Sequence, residues 1–296
     1  MLQKLHYHSS DFVKNPVFSI LIPSWNNLKY LQLCVNSIRK NSSLQHQIII
    51  ILNQAIDGSL EWIKQQKDLD YVYAEENIGI CYGLNSSRKI MQSNYILYAN
   101  DDMYFLPHWD RFLKDEIDQI GHPLFMLSAT MIEPHDTGNP AVILANYGLG
   151  LEDFREEELL QNHLSLQKED WNGSTWPPNV VHRDLWDLVG GMSVEYHPGM
   201  YSDPDLSKKL YDAGVRYFKG LGKSRVYHFG SKSTARVKKN NGAHTFLLKW
   251  GLSSRDFTNG ILVRGASFQI LPTQTTKTSS GFIQKLKSIK SIWSRK

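Results

Sequence analysis

Short apolar runs alternate with helical periodicity over the first hundred residues of the chain. Four runs have the length of buried strands and end at polar residues; they cover 17–22, 47–52, 71–74 and 95–99. Between them, apolar residues recur every three or four positions, which predicts helices. This alternation is typical of βαβ units, so we expect an α/β fold with a mostly parallel central sheet flanked by helices. In such folds, ligands bind beyond the carboxyl ends of the strands.

The second half of the chain has a less regular pattern. Short strands are predicted at 124–131, 141–144, 180–181 and 225–228, and helices at 183–189 and 204–213. Asp203 precedes the second of these helices and is a candidate N-cap. The acidic run 152–158 predicts a solvent-exposed helix face or loop. The Ser- and Thr-rich stretch 271–281 predicts a linker.

Positive charge is concentrated at the C-terminus. The 296 residues contain 33 Lys and Arg against 29 Asp and Glu, and six of the basic residues lie in 277–296, where there is no acid. The rest of the chain is slightly acidic, which argues against nucleic-acid binding, since that function needs a basic face. In 281–296, apolar residues recur at helical spacing between lysines. This pattern predicts an amphipathic helix on an anionic membrane surface; a helix packed on the body or on a partner protein is the alternative.

The cysteine content and the lack of targeting segments indicate a cytoplasmic protein. Cys34 and Cys81 are too few for a disulfide framework or a CxxC metal site, so we expect reduced thiols in the core. The N-terminal residues include no apolar signal segment, and no stretch reaches the roughly 20 apolar residues of a membrane-spanning helix. Peripheral association with the inner face of the plasma membrane, through the tail, is the further expectation.

Two adjacent carboxylates, Asp101 and Asp102, directly follow the fourth apolar run. Like charges at a strand end need a stabilising partner. A divalent cation with bound phosphates is one, because Mg²⁺ and Mn²⁺ prefer oxygen ligands. A turn closed by its own side chains is the alternative. The position at the end of the fourth predicted strand favours the cation site.

Five motifs, in this order along the chain, resemble those of the GT-A fold family 2 glycosyltransferases, inverting enzymes of bacterial cell-surface polysaccharide synthesis. They are the opening strand and loop 18–26, the second loop and helix 57–62, the Asn-x-Gly loop 77–79, the acidic motif 95–102 and Pro107-x-Trp109. The similarity runs from about 17 to 233. It implies a GT-A (Rossmann-like) domain with a nucleotide-sugar-binding half at 16–115, an acceptor-binding and catalytic half at 116–270, and a linker and tail at 271–296.

The resemblance also implies roles for residues of the first half. Asp102 would bind Mn²⁺ or Mg²⁺ on the donor diphosphate. Asn53 stands where the family has an Asp that recognises the nucleobase, so the identity of the nucleobase is left open, with a UDP-sugar favoured. Asn100 stands at the first position of the acidic triplet. The other donor contacts would come from residues of the matching loops: Pro23, Ser24, Trp25, Asn77, Gly79 and Asp101.

In the second half, Asp203 aligns with the general base of the family, and Ser202 replaces a neighbouring Glu. An inverting transfer needs a carboxylate that accepts the proton of the acceptor hydroxyl. A helix N-terminus favours the ionised form of such a carboxylate. The alternatives are that Asp203 only caps the helix, or that Asp205 is the base.

Further roles follow from the same resemblance. His228 is similar to a late His that completes the metal shell in some members, and Lys232 or Arg236 would neutralise the leaving diphosphate. The candidates for acceptor contact are Trp171, Trp176 and Tyr201, since aromatic rings stack on sugars, together with Asp205.

The sequence therefore predicts an inverting, metal-dependent glycosyltransferase that moves a sugar from a nucleotide-diphosphate-sugar to a hydroxyl of a glycan or lipid-linked glycan. A protein of the same fold that binds nucleotide sugar without catalysis is the alternative. A nucleotidylyltransferase is disfavoured because the loop 23–27 lacks the Gly and basic residues that cradle a triphosphate.

Overall fold

The computed structural model describes residues 4–10, 12–230 and 240–273. Its strands are β1 (Leu5–His8), β2 (Ser19–Ser24), β3 (Gln47–Asn53), β4 (Leu69–Ala74), β5 (Tyr95–Tyr98), β6 (Met103–Phe105), β7 (Phe125–Glu133), β8 (Ile143–Leu144), β9 (Trp171–Asn172), β10 (Asn179–His182) and β11 (Tyr217–His228). Its helices are α1 (Leu28–Asn41), α2 (Ser59–Lys64), α3 (Gly79–Ser87), α4 (Trp109–Ile120), α5 (Glu156–Asn162), α6 (Arg183–Val189), α7 (Ser202–Asp212) and α8 (Gly242–Trp250), followed by a π-helical turn at Asp256–Ile261. The predicted α/β class is confirmed.

The strands of the described residues form one sheet in the order β1-β4-β3-β2-β5-β10-β7-β11-β6, with β8 beside β7 and β9 beside β11. Neighbours among β4, β3, β2 and β5 are parallel, and β7 is parallel to β11. Strand β10 is antiparallel to both β5 and β7, so these two run in the same direction. The carboxyl ends of β2, β3, β4, β5, β7 and β11 therefore lie on one edge of the sheet, together with the amino end of β10.

The central strands β2 and β3 carry unbroken apolar runs because helices cover both faces of the sheet. In β2, Ile20 and Ile22 pack in one core cluster with residues of α1 and α4, whereas Leu21 packs in a second cluster with residues of α3, α6 and α7. Successive side chains of a strand point to opposite faces, so a strand covered on both needs an unbroken apolar run. Cys34 and Cys81 are buried free thiols, one in each cluster, as expected.

Helix α7 begins earlier than the sequence pattern indicates. It starts at Ser202, and its N-cap is Tyr201, which has a left-handed φ of 73°. Asp203 thus lies inside the first turn, and the prediction that it is the N-cap is wrong. Pro204 explains the error: a first turn tolerates proline, so the sequence does not show how many residues precede it in the helix.

Several predictions fall outside the described residues. They are the membrane-binding tail 281–296, most of the linker 271–281, and the roles of Lys232 and Arg236. The predicted halves 16–115 and 116–270 share the one sheet, and the boundary between them lies within α4. Among the helices that the structure describes, none has the length and apolar character to cross a membrane.

Candidate active site

A cleft of about 940 Å³ opens at the carboxyl edge of the sheet. Its size is that of sites which hold a drug-sized or nucleotide-sized ligand. Its walls come from the loops after β2 to β5, the ends of β7 and β11, the segment before β10, the start of α7 and residues near the π-helical turn. The residues predicted for the site that line it are Pro23, Ser24, Trp25, Asn53, Asn77, Gly79, Asp101, Asp102, Trp176, Tyr201, Asp203 and His228.

The loops after β2, β3 and β5 are tied to one another by side chains. Ser24 Oγ donates a hydrogen bond of 2.7 Å to Asp101 Oδ2. Trp25 Nε1 donates one of 3.1 Å to Gln54 Oε1, and Gln54 has a left-handed φ of 67°. A left-handed non-glycine residue is held by its surroundings, so this end of the cleft has a defined shape before a ligand binds.

The Asn-x-Gly loop after β4 is held by two side-chain amides. Asn53 Oδ1 accepts a hydrogen bond of 3.2 Å from the Ile78 backbone N–H, and Asn77 Oδ1 accepts one of 2.8 Å from that of Gly79. Gly79 has a φ of 74°, and a Cβ atom at this position would collide with the His197 ring. Only glycine fits such a position. One lone pair of the Asn53 oxygen therefore fixes this loop, while the side chain still lines the cleft.

Glu133, at the end of β7, holds the His228 ring at the end of β11. His228 Nδ1 lies 2.9 Å from Glu133 Oε1, and Nε2 lies 3.6 Å from Asp102 Oδ1. Burial alone would lower the pKa of His228, but the hydrogen bond to Glu133 and the charge of Asp102 raise it. Burial alone would raise the pKa of Glu133, but hydrogen bonds from His228 and Thr137 lower it. Sequence reasoning missed Glu133, whose signal is a carboxylate two residues past the strand predicted at 124–131.

Within the described ranges, the structure has no group of three or more His, Cys, Asp or Glu side chains that could hold a metal ion. Asp102 and His228 therefore do not belong to a complete His and carboxylate cage within the described residues. Mg²⁺ commonly takes one or two protein carboxylates and completes its shell with substrate phosphates and water. The donor set fits a metal that binds together with a diphosphate rather than a preformed protein cage.

Asp203 presents a carboxylate to the cleft from the first turn of α7. Its Oδ1 atom is buried and has no hydrogen-bond partner among the described residues. Burial raises the pKa of Asp203 to about 7. The helix N-terminus was expected to favour the ionised form of Asp203, but the effect of burial on its pKa is larger. A carboxylate with a pKa near 7 is suited to accept a proton at neutral pH.

Asp205 does not line the cleft, so the structure does not bring its side chain to the acceptor side as predicted. Its side chain is fully buried, and Oδ1 lies 2.9 Å from Lys249 Nζ. Trp250 Nε1 donates to the same oxygen at 2.8 Å, and Ser193 Oγ donates to Oδ2 at 2.5 Å. These partners come largely from α8, so Asp205 attaches α8 to the helix that carries Asp203.

Of the two tryptophans that were predicted to contact the acceptor, one lies in the wall of the cleft. Trp176 lines the cleft, and the Arg264 guanidinium lies over its ring, with Cζ 4.6 Å from the ring centroid. Trp171 is buried in the fold, where its Nε1 donates to Thr130 Oγ1 at 2.8 Å, so its predicted acceptor contact is wrong. Sequence reasoning missed Arg264 and Arg255, which also lines the cleft, because nothing in their local sequence marks them.

The sequence profile of glycosyl transferase family 2 matches residues 19–173, which is more than half of the chain. The chain therefore belongs to this family, and the predicted family is confirmed. The matched range includes the loops at 23–25, 77–79 and 101–102. It ends before Asp203 and His228.

Two proteins illustrate the similarity. TuaG of Bacillus subtilis (strain 168), named as a teichuronic acid biosynthesis glycosyltransferase, is 26% identical over 108 residues, a match that spans 35% of this chain and 40% of TuaG. The crystal structure of S. aureus TarS 1–349 in complex with UDP-GlcNAc has a TM-score of 0.58 at 14% identity, covering 94% of this chain and 73% of that one. The complex of the same protein with UDP has a TM-score of 0.52 at 15% identity, covering 71% and 59%. The shared fold confirms the predicted GT-A class.

Proposed function

We propose that this protein is an inverting glycosyltransferase that transfers a sugar from a nucleotide-diphosphate-sugar to a hydroxyl of a glycan or lipid-linked glycan. One observation carries the proposal: the Asp203 carboxylate, with its unpartnered buried oxygen, faces the same cleft as Asp101, Asp102 and the loops after β2 and β4. A UDP-sugar is the favoured donor. Support comes from the UDP and UDP-GlcNAc complexes of TarS, and the name of TuaG supports a cell-wall polysaccharide as the acceptor.

The two ends of the cleft have separate tasks in this proposal. The loops with Pro23, Ser24, Trp25, Asn77 and Gly79 hold the nucleoside, and Asp101 contacts its ribose or diphosphate. Trp176 and Tyr201 face the acceptor. The sheet supports this division, because the first set of loops follows β2 and β4, whereas Trp176 precedes β10 on the other half of the sheet.

The reaction is a single displacement at the anomeric carbon. The acceptor oxygen attacks this carbon, the bond from carbon to the diphosphate oxygen breaks with its electron pair, and Asp203 takes the hydroxyl proton. One carboxylate is sufficient for such a step, because no covalent enzyme intermediate forms and configuration inverts. With a pKa of about 7, Asp203 is a stronger base than an ordinary carboxylate and is still largely ionised above pH 7.

Asp102 and His228 would hold Mn²⁺ or Mg²⁺ in this site. Glu133 accepts the Nδ1–H of His228, which leaves Nε2 directed towards Asp102. Metal-ligating histidines usually have such a partner for their second ring nitrogen. When bound, the metal would stabilise the negative charge that develops on the departing diphosphate.

A transfer assay with Asp203→Asn tests the proposal. Release of UDP from a panel of UDP-sugars is measured with wild type, with Asp203→Asn, and with Asp212→Asn as a control at the exposed end of the same helix. We expect turnover to fall by about 10²–10⁴ in the first variant and by less than about twofold in the second, with UDP affinity kept in both. Wild type that binds UDP-sugars but never turns them over contradicts the proposal and favours a non-catalytic nucleotide-sugar-binding protein.

Association of residues 281–296 with an anionic membrane is a second part of the proposal, and it rests on the sequence pattern alone. It would bring the cleft to a lipid-linked acceptor at the inner face of the plasma membrane. Flotation with vesicles that contain anionic lipid tests it. Wild type should float and a chain ending at residue 280 should not; equal flotation of both refutes this part.

A further inference from the structure

Arg264 is a cation in the wall of the cleft that no described carboxylate neutralises. Its guanidinium lies over the Trp176 ring. Among the residues that the structure describes, no carboxylate forms an ion pair with Arg264, and its buried Nε atom has no hydrogen-bond partner. Burial lowers the pKa of Arg264, but a guanidinium stays protonated at physiological pH. Arg264 is half-buried, and a guanidinium in a cleft wall that pairs with no described carboxylate is open to an anionic ligand.

The parts of the chain outside the described ranges contain almost no acidic residues that could form an ion pair with Arg264. The stretches 231–239 and 274–296 contain no Asp or Glu, and Asp11 is the one acidic residue outside the described ranges. The backbone N–H of the described neighbour Ser10 donates a hydrogen bond of 2.6 Å to Asp70 Oδ1, near the amino end of β4. The cleft lies at the opposite, carboxyl edge of the sheet. The anion is therefore expected to come from a ligand.

Arg264 belongs to the acceptor half of the cleft. The donor loops follow β2, β4 and β5, whereas Arg264 packs on Trp176, which precedes β10, and on the end of β9. The strands β10, β7 and β11 form the half of the sheet away from β2, β3 and β4. Arg255, which is exposed, lines the same cleft and adds a second positive charge.

The backbone holds Arg264 rigidly in this position. Its N–H donates to Thr258 O at 3.1 Å, and the Gly265 N–H donates to Asn172 O at 2.9 Å. Gly173 has a φ of 91°, and a Cβ atom there would lie 2.7 Å from the Arg264 Cα, so the two segments are in close contact. These contacts fix the backbone at Arg264, and the Trp176 ring beneath the guanidinium limits its orientations, which lowers the entropy lost when it meets an anion.

We propose that the acceptor is an anionic glycan. Arg264 binds a phosphodiester or carboxylate group of this glycan, and the Trp176 side chain packs against an adjacent sugar. The planar guanidinium matches both anions through two parallel hydrogen bonds. This inference rests on the proposed transferase function and names the class of its acceptor. The donor diphosphate is the other anion that Arg264 could bind, and the experiment distinguishes binding of the acceptor anion from binding of the diphosphate.

The experiment measures binding by the full-length protein with UDP present. Three oligomers of equal length serve as probes: a phosphodiester-linked polyol, a uronic acid oligosaccharide and a neutral oligosaccharide. Wild type is compared with Arg264→Gln, Arg264→Lys and Arg111→Gln. The last removes the same charge from an exposed i,i+4 pair on α4, outside the cleft.

We expect wild type to bind one of the anionic oligomers at least about tenfold more tightly than the neutral one, and the preferred oligomer identifies the anion. Arg264→Gln should lose that preference, Arg264→Lys should keep part of it, and Arg111→Gln should keep all of it. UDP affinity should change by less than about twofold. Equal binding of anionic and neutral oligomers by wild type overturns the proposal, without need of a variant. Weaker UDP binding by Arg264→Gln also overturns it, because Arg264 then serves the donor; failure of wild type to bind UDP instead refutes the proposed function itself.

Discussion

Replacing Asp203 by Asn should make the folded protein more stable at neutral and alkaline pH. Burial raises the pKa of Asp203 from 3.8 to about 7. Because the carboxyl group of the unfolded chain ionises at lower pH, stability is lost as pH rises between these two pKa values and is constant above the folded one. At ~1.36 kcal/mol for each pH unit, the full loss is about 4 kcal/mol of unfolding free energy. An amide cannot ionise, so Asp203→Asn escapes this loss.

Calorimetric melting of both proteins between about pH 4.5 and pH 8.5 measures the effect. For a chain of 296 residues, about 4 kcal/mol corresponds to about 6 °C in melting temperature. The two proteins should melt within about 2 °C of each other at the acidic end, and the variant should melt about 6 °C higher at pH 8. Asp212→Asn is the matched control, because Asp212 is half exposed and its ion-pair partner among the described residues is Lys208 on the same helix.

The pH dependence distinguishes this explanation from a general packing effect. A difference in melting temperature that stays the same from acid to alkaline pH would refute a buried, titrating carboxylate. The absence of a difference at pH 8 would show that solvent reaches both oxygens of Asp203.

The remaining predictions concern catalysis, the metal and the support of α7. With Asp203 as the base, kcat/KM should fall about tenfold for each pH unit below about pH 7 and level off above it; a profile that is flat from pH 5.5 to 8 contradicts this role. Glu133→Gln should weaken Mn²⁺-dependent binding of UDP by about 10–100-fold, as read in a calorimetric metal titration, while metal-free UDP affinity is unchanged; an unaltered titration removes Glu133 from the site. Lys249→Met leaves the buried Asp205 charge without its ion-pair partner and should cost about 2 kcal/mol, or about 3 °C in melting temperature; a change below about 1 °C shows that Trp250 and Ser193 suffice.

The donor half of the molecule was predictable because its signals are local. The strands β2, β3 and β5 are covered on both faces, and this burial leaves an unbroken apolar run in the sequence. Since parallel strands end at one edge, the polar residues after them had to meet there, and Ser24 and Asp101 are in fact hydrogen-bonded. Helix α4 was overlooked although Trp109, Leu113 and Ile117 recur at helical spacing and are buried.

The acceptor half depends on contacts between distant segments, which no local pattern records. Glu133 and His228 are separated by 95 residues and meet because β7 and β11 are adjacent and parallel. Asp203 and Asp205 show the limit of sequence reasoning clearly. Because Asp203 and Asp205 are two positions apart on a helix, their side chains point to different sides, and only one of them can face the cleft. The sequence did not say which, since the contact with Lys249 on α8 decides it.

The configuration of the transferred sugar tests the central claim most directly. Wild type is incubated with Mn²⁺ and a UDP-sugar of known α configuration, with water as the acceptor hydroxyl, and the anomeric proton of the released sugar is read by NMR before it mutarotates. A single displacement with Asp203 as the one base predicts a β product, and Asp203→Asn should form almost none of it. An α product would contradict the account, since retention requires a second displacement or a different mechanism.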